Sequence, residues 1–286
     1  MHIAVMPEES VALLNVHPDG VFVDATAGMG NHTGLIAQRL TSGIVIANDR
    51  DAESLEMARR NTEPWADRIL YHQGTFQTLP DAIREAGFDK IDGVLADLGV
   101  SRYQLTTPSR GFSFGADGPL DMRMDPTTGM TAADLVNYTD EKTLADLIYE
   151  LGGERRARRA ARAIVRARPI RSTLHLADVV SRAVPRTGHL HPATKTFMAL
   201  RMAVNDELGE LDRLLKIGPQ LLKPGGRFVL IAFSSGEDRL VKNCFREMAR
   251  EGLGIVLTKH PLQPTDEEVS RNPASRSARL RGFMCN

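Results

Sequence analysis

The stretch "VDATAGMGNHTG", residues 23–34, does most to limit the folds open to this chain: an apolar run ends on an acid, and Gly28, Gly30 and Gly34 then fall within seven positions. The β-branched and apolar residues of "GVFVDATA" (20–27) predict a buried strand, and "HTGLIAQRL" (32–40) carries apolar residues at helical spacing. A strand that turns through glycines into a helix lets a ligand approach the backbone and presents helix N-terminal N–H groups to it. The pattern repeats downstream. "GIVIANDRD" (43–51) predicts a second buried strand, and "AESLEMARRN" (52–61) a helix with acids early and arginines late, the order that suits a helix dipole. "RILYHQGTF" (68–76) and "KIDGVLADLGVS" (90–101) predict two further strands. Strands alternating with helices at this spacing dictate a parallel α/β sheet with right-handed crossovers.

The rhythm stops after residue 105. Residues 106–200 open with a Gly/Pro-rich loop, "TTPSRGFSFGADGPLDMRMDPTTGMT", and continue as helical segments without a convincing buried strand. Strand patterning returns with "GGRFVLIAFSS" (225–235), followed by a helix over 237–251, a short strand over 254–259 and an arginine-bearing tail. The expected organisation is therefore one α/β domain in two parts, 1–105 and 201–286, with a helical subdomain inserted at 106–200.

The glycine turn reads G-x-G-x-x-x-G, one residue off the dinucleotide fingerprint. Asp49 stands about 20 residues further on, at the end of the second strand, where a carboxylate can accept both hydroxyls of a ribose. A nicotinamide dinucleotide needs helix dipole and backbone to meet a pyrophosphate. S-adenosylmethionine has no phosphate; its sulfonium and amino-acid end suit carboxylates and polar turn groups, such as Asp24, Asn31 and His32. Asp97 ends the fourth strand, where a doubly wound sheet places ligand-facing groups. On the residues alone, the alternative for Asp97 is a helix or turn cap, and His32 reads first as a histidine satisfied at a helix start.

Charge and cysteine usage narrow the class further. The chain carries 36 basic and 36 acidic residues, which argues against a uniformly basic nucleic-acid binder but not against local basic patches. One such patch is "GERRARRAARAIVRARPIR" (153–171), with eight arginines and one acid. Ala160, Ala161, Ile164 and Val165 form a narrow apolar stripe there that leaves most arginines outward, a face able to track phosphates. A solvated helix paired with neighbouring acids is the alternative. The tail "RNPASRSARLR" adds four arginines and no acid. Cys244 and Cys285 have no metal-ligand spacing, no stretch has the length of a membrane span, and the first ten residues lack a signal-peptide pattern. A cytoplasmic protein with free thiols, no metal and no membrane partner is expected.

The chain resembles a known family along nearly its whole length: the bacterial small-subunit ribosomal RNA cytosine-N4 methyltransferases, the MraW family. The resemblance is carried by "VDATAGMGNHTG", "NDRD", "DGVLADLGVS", "RGFSFGADGPLDMRMD", "GGERRARRAARAIV", "HPATKTFMALRMAVNDELGEL", "LLKPGGRFVLIAFSSGEDRLVK" and "RNPASRSARLR". It implies a class I S-adenosylmethionine-dependent methyltransferase fold, Rossmann-like, with an inserted helical domain. It implies S-adenosyl-L-methionine as cofactor, with Gly30, Asn31, His32, Asp49, Phe76, Asp97 and Gln104 as the positions that contact it. It implies methylation of a cytosine N4 amino group in 16S ribosomal RNA, with the small ribosomal subunit as partner and a monomer or homodimer as the working form. Four positions depart from the family pattern: Gly30-Asn31-His32 where Gly-Gly-His is usual, Ser101-Arg102-Tyr103-Gln104 for Ser-Ser-Pro-Gln, Ser234 in place of a histidine, and "DAT" for Asp-Gly-Thr. An asparagine tolerates positive φ, so the glycine turn is expected to survive its substitution.

Methylating an exocyclic amine is an in-line displacement at a sulfonium methyl, and cytosine N4 is a poor nucleophile because its lone pair is delocalised into the ring. An acceptor for an N4 hydrogen would localise that pair. Asp97 is the first candidate; Asp121 and Asp125 are second, with a loop stitched through Arg110 and Arg123 as their structural alternative. Arg155, Arg156, Arg159 and Arg162, with Arg276 and Arg279 in the tail, are the candidate RNA contacts, and the target base must leave its stack or be single-stranded. Two other classes compete: a non-catalytic ribosome-assembly factor that keeps the fold, and a nicotinamide oxidoreductase, which the off-register glycines disfavour.

Overall fold

The structure, a computed structural model, describes residues 4–186 and 188–286. The chain divides into two compact units: Met1–Gly99 with Leu208–Asn286, and Val100–Glu207. The helical unit thus begins a few residues before, and ends a few residues after, the segment 106–200 expected from the sequence.

The first unit is built on seven strands: β1 Val21–Asp24, β2 Ile44–Asp49, β3 Ile69–Gln73, β4 Ile91–Asp97, β5 Leu222–Ala232, β6 Gly254–Val256 and β7 Arg279–Cys285. Their order is β3-β2-β1-β4-β5-β7-β6, with β1 to β5 parallel and β7 antiparallel to both neighbours. This order agrees with the Rossmann-like α/β sheet expected from the sequence. β1 and the C-terminal half of β5 are buried throughout, as parallel strands covered on both faces must be. The helices of this unit are α1 Pro7–Leu14, α2 Asn31–Ala37, α3 Ala52–Asn61 and α4 Leu79–Glu85 before the second unit, and α11 Glu207–Leu221, α12 Ser235–Arg250 and α13 Asp266–Arg271 after it. Two apolar clusters flank the sheet, one containing Val23, Val94, Leu214, Phe228 and Phe245, the other Phe22, Ile36, Leu95 and Ile231.

The chain lays β2 and β3 on one side of β1, then returns to place β4 on the other. A crevice opens where strand order reverses in this way, outside the carboxyl ends of the strands. Asp24 and Asp97, the last residues of β1 and β4, flank it.

The second unit holds α5 Arg102–Thr106, α6 Ala132–Tyr138, α7 Glu141–Glu150, α8 Ala157–Arg166, α9 Thr173–Ala183 and α10 Thr194–Val204. Its core joins Leu144, Ile148, Ala160, Ile164, Val180 and Leu200 to loop residues Phe112, Leu120 and Met122. Two sequence motifs that lie about 80 residues apart meet here. Asn205 accepts the Met124 N–H at 2.7 Å and donates to the Met122 carbonyl at 2.7 Å, and Phe114 packs edge-on against Phe197 at 4.8 Å.

The tail corrects the sequence reading. "RNPASRSARLR" is not an arginine-bearing extension but the lead into β7, a full strand between β5 and β6. Arg281 is buried within it and donates from Nε and Nη2 to the Asp238 carboxylate at 2.6 and 3.2 Å. Removing one partner of a buried pair strands the other charge, at about 3–5 kcal/mol. Asp238→Ala is therefore expected to cost about 3 kcal/mol in urea unfolding; a loss below about 1 kcal/mol would show that β7 is held by its ladder alone.

Candidate functional site

Three of the central strands deliver a carboxylate to the carboxyl edge. Asp24 ends β1 and is fully buried. Its Oδ2 accepts the Thr33 hydroxyl at 2.6 Å and its Oδ1 the Thr26 N–H at 3.3 Å. Burial nevertheless dominates and pushes its pKa up to about 6. Asp49, ending β2, accepts the Gly28 N–H at 2.8 Å on one oxygen and the Asp51 N–H at 2.9 Å on the other. Desolvation lifts it to about 6 as well, against those two hydrogen bonds. Asp97, ending β4, is raised furthest, to about 7, chiefly by desolvation and against the attraction of His32.

Asp97 differs from the other two in how its carboxylate is satisfied. Its backbone N–H is donated to Thr26 Oγ1 at 2.6 Å, which ties the end of β4 to the turn after β1. Its Oδ2 lies 3.8 Å from His32 Nδ1, and its Oδ1 is buried with no hydrogen-bond partner among the described residues. A buried acceptor without a donor is costly unless something supplies one.

The glycine turn is built more tightly than its sequence suggests. Gly30 caps α2 with φ 84°, and Gly28 sits at φ 52°. A Cβ at Gly30 would meet Thr62 Cγ2 at 2.9 Å and Ala58 Cα at 3.1 Å. Gly30 is thus required by its left-handed backbone and by the close approach of α3. The turn does not draw on the tolerance of Asn31 for positive φ: Asn31 is the first helical residue of α2, and Gly28 and Gly30 take the left-handed conformations. His32 is buried, with Nε2 2.9 Å from the Val5 carbonyl. A carbonyl only accepts, so Nε2 carries a proton donated to Val5, and the Nδ1 edge of the ring faces Asp97.

Phe76 opens a short 3-10 turn after β3, half-buried against the apolar cluster beneath the sheet, with its N–H 3.4 Å from Glu210 Oε2. Gln104 belongs to the other unit, where it is buried at the third position of α5 and closes a capping box with Ser101: its Oε1 accepts the Ser101 N–H at 2.9 Å. Arg102 and Tyr103 are the first two residues of the same helix. Asp121 grips Arg123 with both oxygens, at 2.9 and 2.8 Å, and Arg110 donates to the carbonyls of Arg123 and Met124. Asp125 accepts the Thr127 N–H and hydroxyl. Ser234 caps α12 in a reciprocal box with Glu237. Sequence reasoning missed Thr26, Thr33 and Val5; the first two lie inside the glycine-turn motif, but nothing in their spacing reveals which strand end each one braces.

The arginines divide by partner. Arg155, Arg156, Arg158, Arg159 and Arg166 are exposed around α8, and Arg162 lies 3.3 Å from Glu141. Ala157, Ala160, Ala161 and Ile164 form the buried stripe, with Val165 half-buried beside it. Arg276 is exposed, whereas Arg279 is drawn to Asp238 at 3.6 Å. Among the described residues no group of three or more acids, histidines or cysteines is placed to hold a metal ion.

The model of the MraW methylase family matches residues 1–285. The ribosomal RNA small subunit methyltransferase H of Solibacter usitatus is 70% identical over 283 residues, covering 99% of each chain. The proteins of that name from Acidobacterium capsulatum and Koribacter versatilis are each 48% identical, over 98% of this chain and 97% and 92% of theirs.

The raised carboxylates make folding stability depend on pH. An acid whose folded pKa exceeds its unfolded value near 3.8 stabilises the fold fully below about 4 and loses that contribution as pH rises through about 7. Asp97→Asn removes the largest of these penalties, so it is expected to raise the melting temperature at pH 8 by a few degrees and to change it little at pH 4. Equal shifts at both pH values would show that burial of the Asp97 charge is not the cause.

Proposed function

The chain belongs to the MraW methylase family, and from that membership we propose that it transfers a methyl group to the N4 amino group of a cytosine in 16S ribosomal RNA of the small subunit. S-adenosyl-L-methionine is the methyl donor and supplies an electrophilic methyl on a sulfonium. The single observation that carries the assignment of the site is the unpartnered, buried Oδ1 of Asp97 at the strand reversal. Three carboxylates along one sheet edge, Asp24 buried and Asp49 and Asp97 half-buried, suit a cationic ligand, which would favour their ionised forms.

Gly30, Asn31, His32, Asp49, Phe76 and Asp97 are the residues we assign to holding that donor. Asp49 spends one acceptor position of each oxygen on the turn and keeps the others for ribose hydroxyls. Asp97 accepts a hydrogen from N4, which returns the amine lone pair to nitrogen and takes up positive charge as it develops. The exposed arginines at the start of α8 bind backbone phosphates, with Arg276 as a further contact. A ribosomal RNA substrate places the enzyme in the cytoplasm; no described helix is long and apolar enough to cross a membrane.

The test is incubation with radiolabelled S-adenosylmethionine and small subunits from cells lacking this protein, followed by digestion of the RNA to nucleosides. Label is expected in N4-methylcytidine, with kcat/KM rising from pH 6 to pH 8 as Asp97 ionises. Asp97→Asn is expected to lose about 10²-fold or more and with it the pH dependence near 7. Label in another nucleoside, or an unaltered pH profile in the variant, would overturn the reading.

A second measurement addresses the RNA face. Replacing Arg155, Arg158 and Arg159 by alanine is expected to weaken RNA binding and to flatten its salt dependence, by about 0.7–0.9 in the log–log slope for each phosphate no longer neutralised. Cofactor affinity should stay at the wild-type value. A variant with an unchanged salt slope would remove α8 from the RNA surface.

A further inference from the structure

The geometry points to a phosphate-binding cavity on the sheet-bearing unit, separate from the cofactor residues. A cavity of about 270 Å³ is lined by Lys242, Phe245, Arg246, Val256, Thr258, Lys259 and Arg281. Four of the seven lining residues are cationic and none is acidic. In a chain with 36 basic and 36 acidic residues, such a local excess is not a reflection of composition.

The cations come from three parts of the fold. Lys242 and Arg246 lie one helical turn apart on α12, with Phe245 buried beneath them. Lys259 follows β6 after the buried Thr258, and Arg281 comes from β7. Arg281 already has its counterion, Asp238. Lys242, Arg246 and Lys259 have no ion pair among the described residues, whereas Arg250, one turn further along α12, is held by Glu247 at 3.1 Å. Thr258 Oγ1 accepts the Gly282 N–H at 3.1 Å, which leaves its hydroxyl proton to donate. Three uncompensated cations around a buried hydroxyl and an apolar floor are complementary to a phosphate with a less polar group attached to it.

The cavity shares no residue with the strand-end site. Lys242 lies eight residues beyond the Ser234 cap, about 12 Å along the helix axis. A phosphate here is either a phosphodiester of an RNA strand or a free phosphate such as that of a nucleoside monophosphate. The first source rests on the proposed RNA substrate; the second does not.

The test compares the full-length protein with the K242A/R246A/K259A variant and with K242R/R246K/K259R, which keeps the charge. All three positions are at the surface or half-buried, and S-adenosylmethionine affinity checks that the fold survives. One arm measures binding of a fluorescent single-stranded RNA against salt; the other measures binding of adenosine monophosphate and of inorganic phosphate by titration calorimetry. If RNA fills the cavity, the alanine variant loses on the order of tenfold at low salt and about 0.7 in salt slope, and the charge-conserving variant recovers both. If the source is a free phosphate, the variant loses binding in the second arm with RNA affinity intact. Unchanged binding in both arms overturns the proposal. A protein that shows the cavity effect yet places no label in N4-methylcytidine would fail the functional reading and not this one.

Discussion

The site is arranged around carboxylates wholly or partly withdrawn from water at the ends of β1, β2 and β4. An ionised acid is expensive to desolvate, and each of these three has its pKa pushed up to between about 6 and about 7. The surrounding structure limits that cost by directing donors at them: the Thr33 hydroxyl to Asp24, and the Gly28 and Asp51 N–H groups to Asp49. Asp97 is left with one oxygen unanswered. The pattern is that of a site that stores a small electrostatic cost and recovers it when a cation and a hydrogen-bond donor arrive.

The same residues are also the joints of the fold. Thr26 holds the backbone of Asp97, Asp49 holds the turn at Gly28, and His32 connects the N-terminal segment at Val5 to the side of Asp97. Binding groups and structural braces are therefore not separable by mutation at most of these positions. Asp97 is the exception, because its side chain braces nothing; a change there reports on ligand and proton more directly than a change at Asp24 or Asp49.

In the second unit the two most distinctive motifs serve each other. Asn205 pins the loop through Met122 and Met124, Phe114 packs on Phe197, and Asp121 with Arg123 and Arg110 closes the loop internally. The stitching expected of this loop forms: Asp121 holds Arg123 directly, and Arg110 ties down the carbonyls that follow. A loop that carries Arg110 into a core needs a dedicated partner for each of its polar groups. What the unit leaves outward is charge: the arginines of α8, whose alanine stripe is just wide enough to bury one face.

The local elements and the ligand edge are legible in the linear order of residues. Buried β-branched runs and the glycine turn locate β1, β2 and β4 to within a few residues, because hydrophobic period and turn chemistry are written locally. The acids that end those strands are legible for the same reason. Partners distant in sequence settle the remainder. β7 is hidden because "RLRGFMC" alternates arginine with apolar residues, and a buried Arg281 is tolerable only beside Asp238, 43 residues earlier. Gly30 reads as a place for a ligand to approach, and the further crowding of it by Ala58 and Thr62 is a fact of tertiary packing. Gln104 and Ser234 look like ligand or catalytic positions in the motif, yet each also closes a capping box that no spacing rule assigns without knowing where its helix begins. Pairing across the sheet and desolvation at its edge are properties of neighbours in space, and a linear pattern does not contain them.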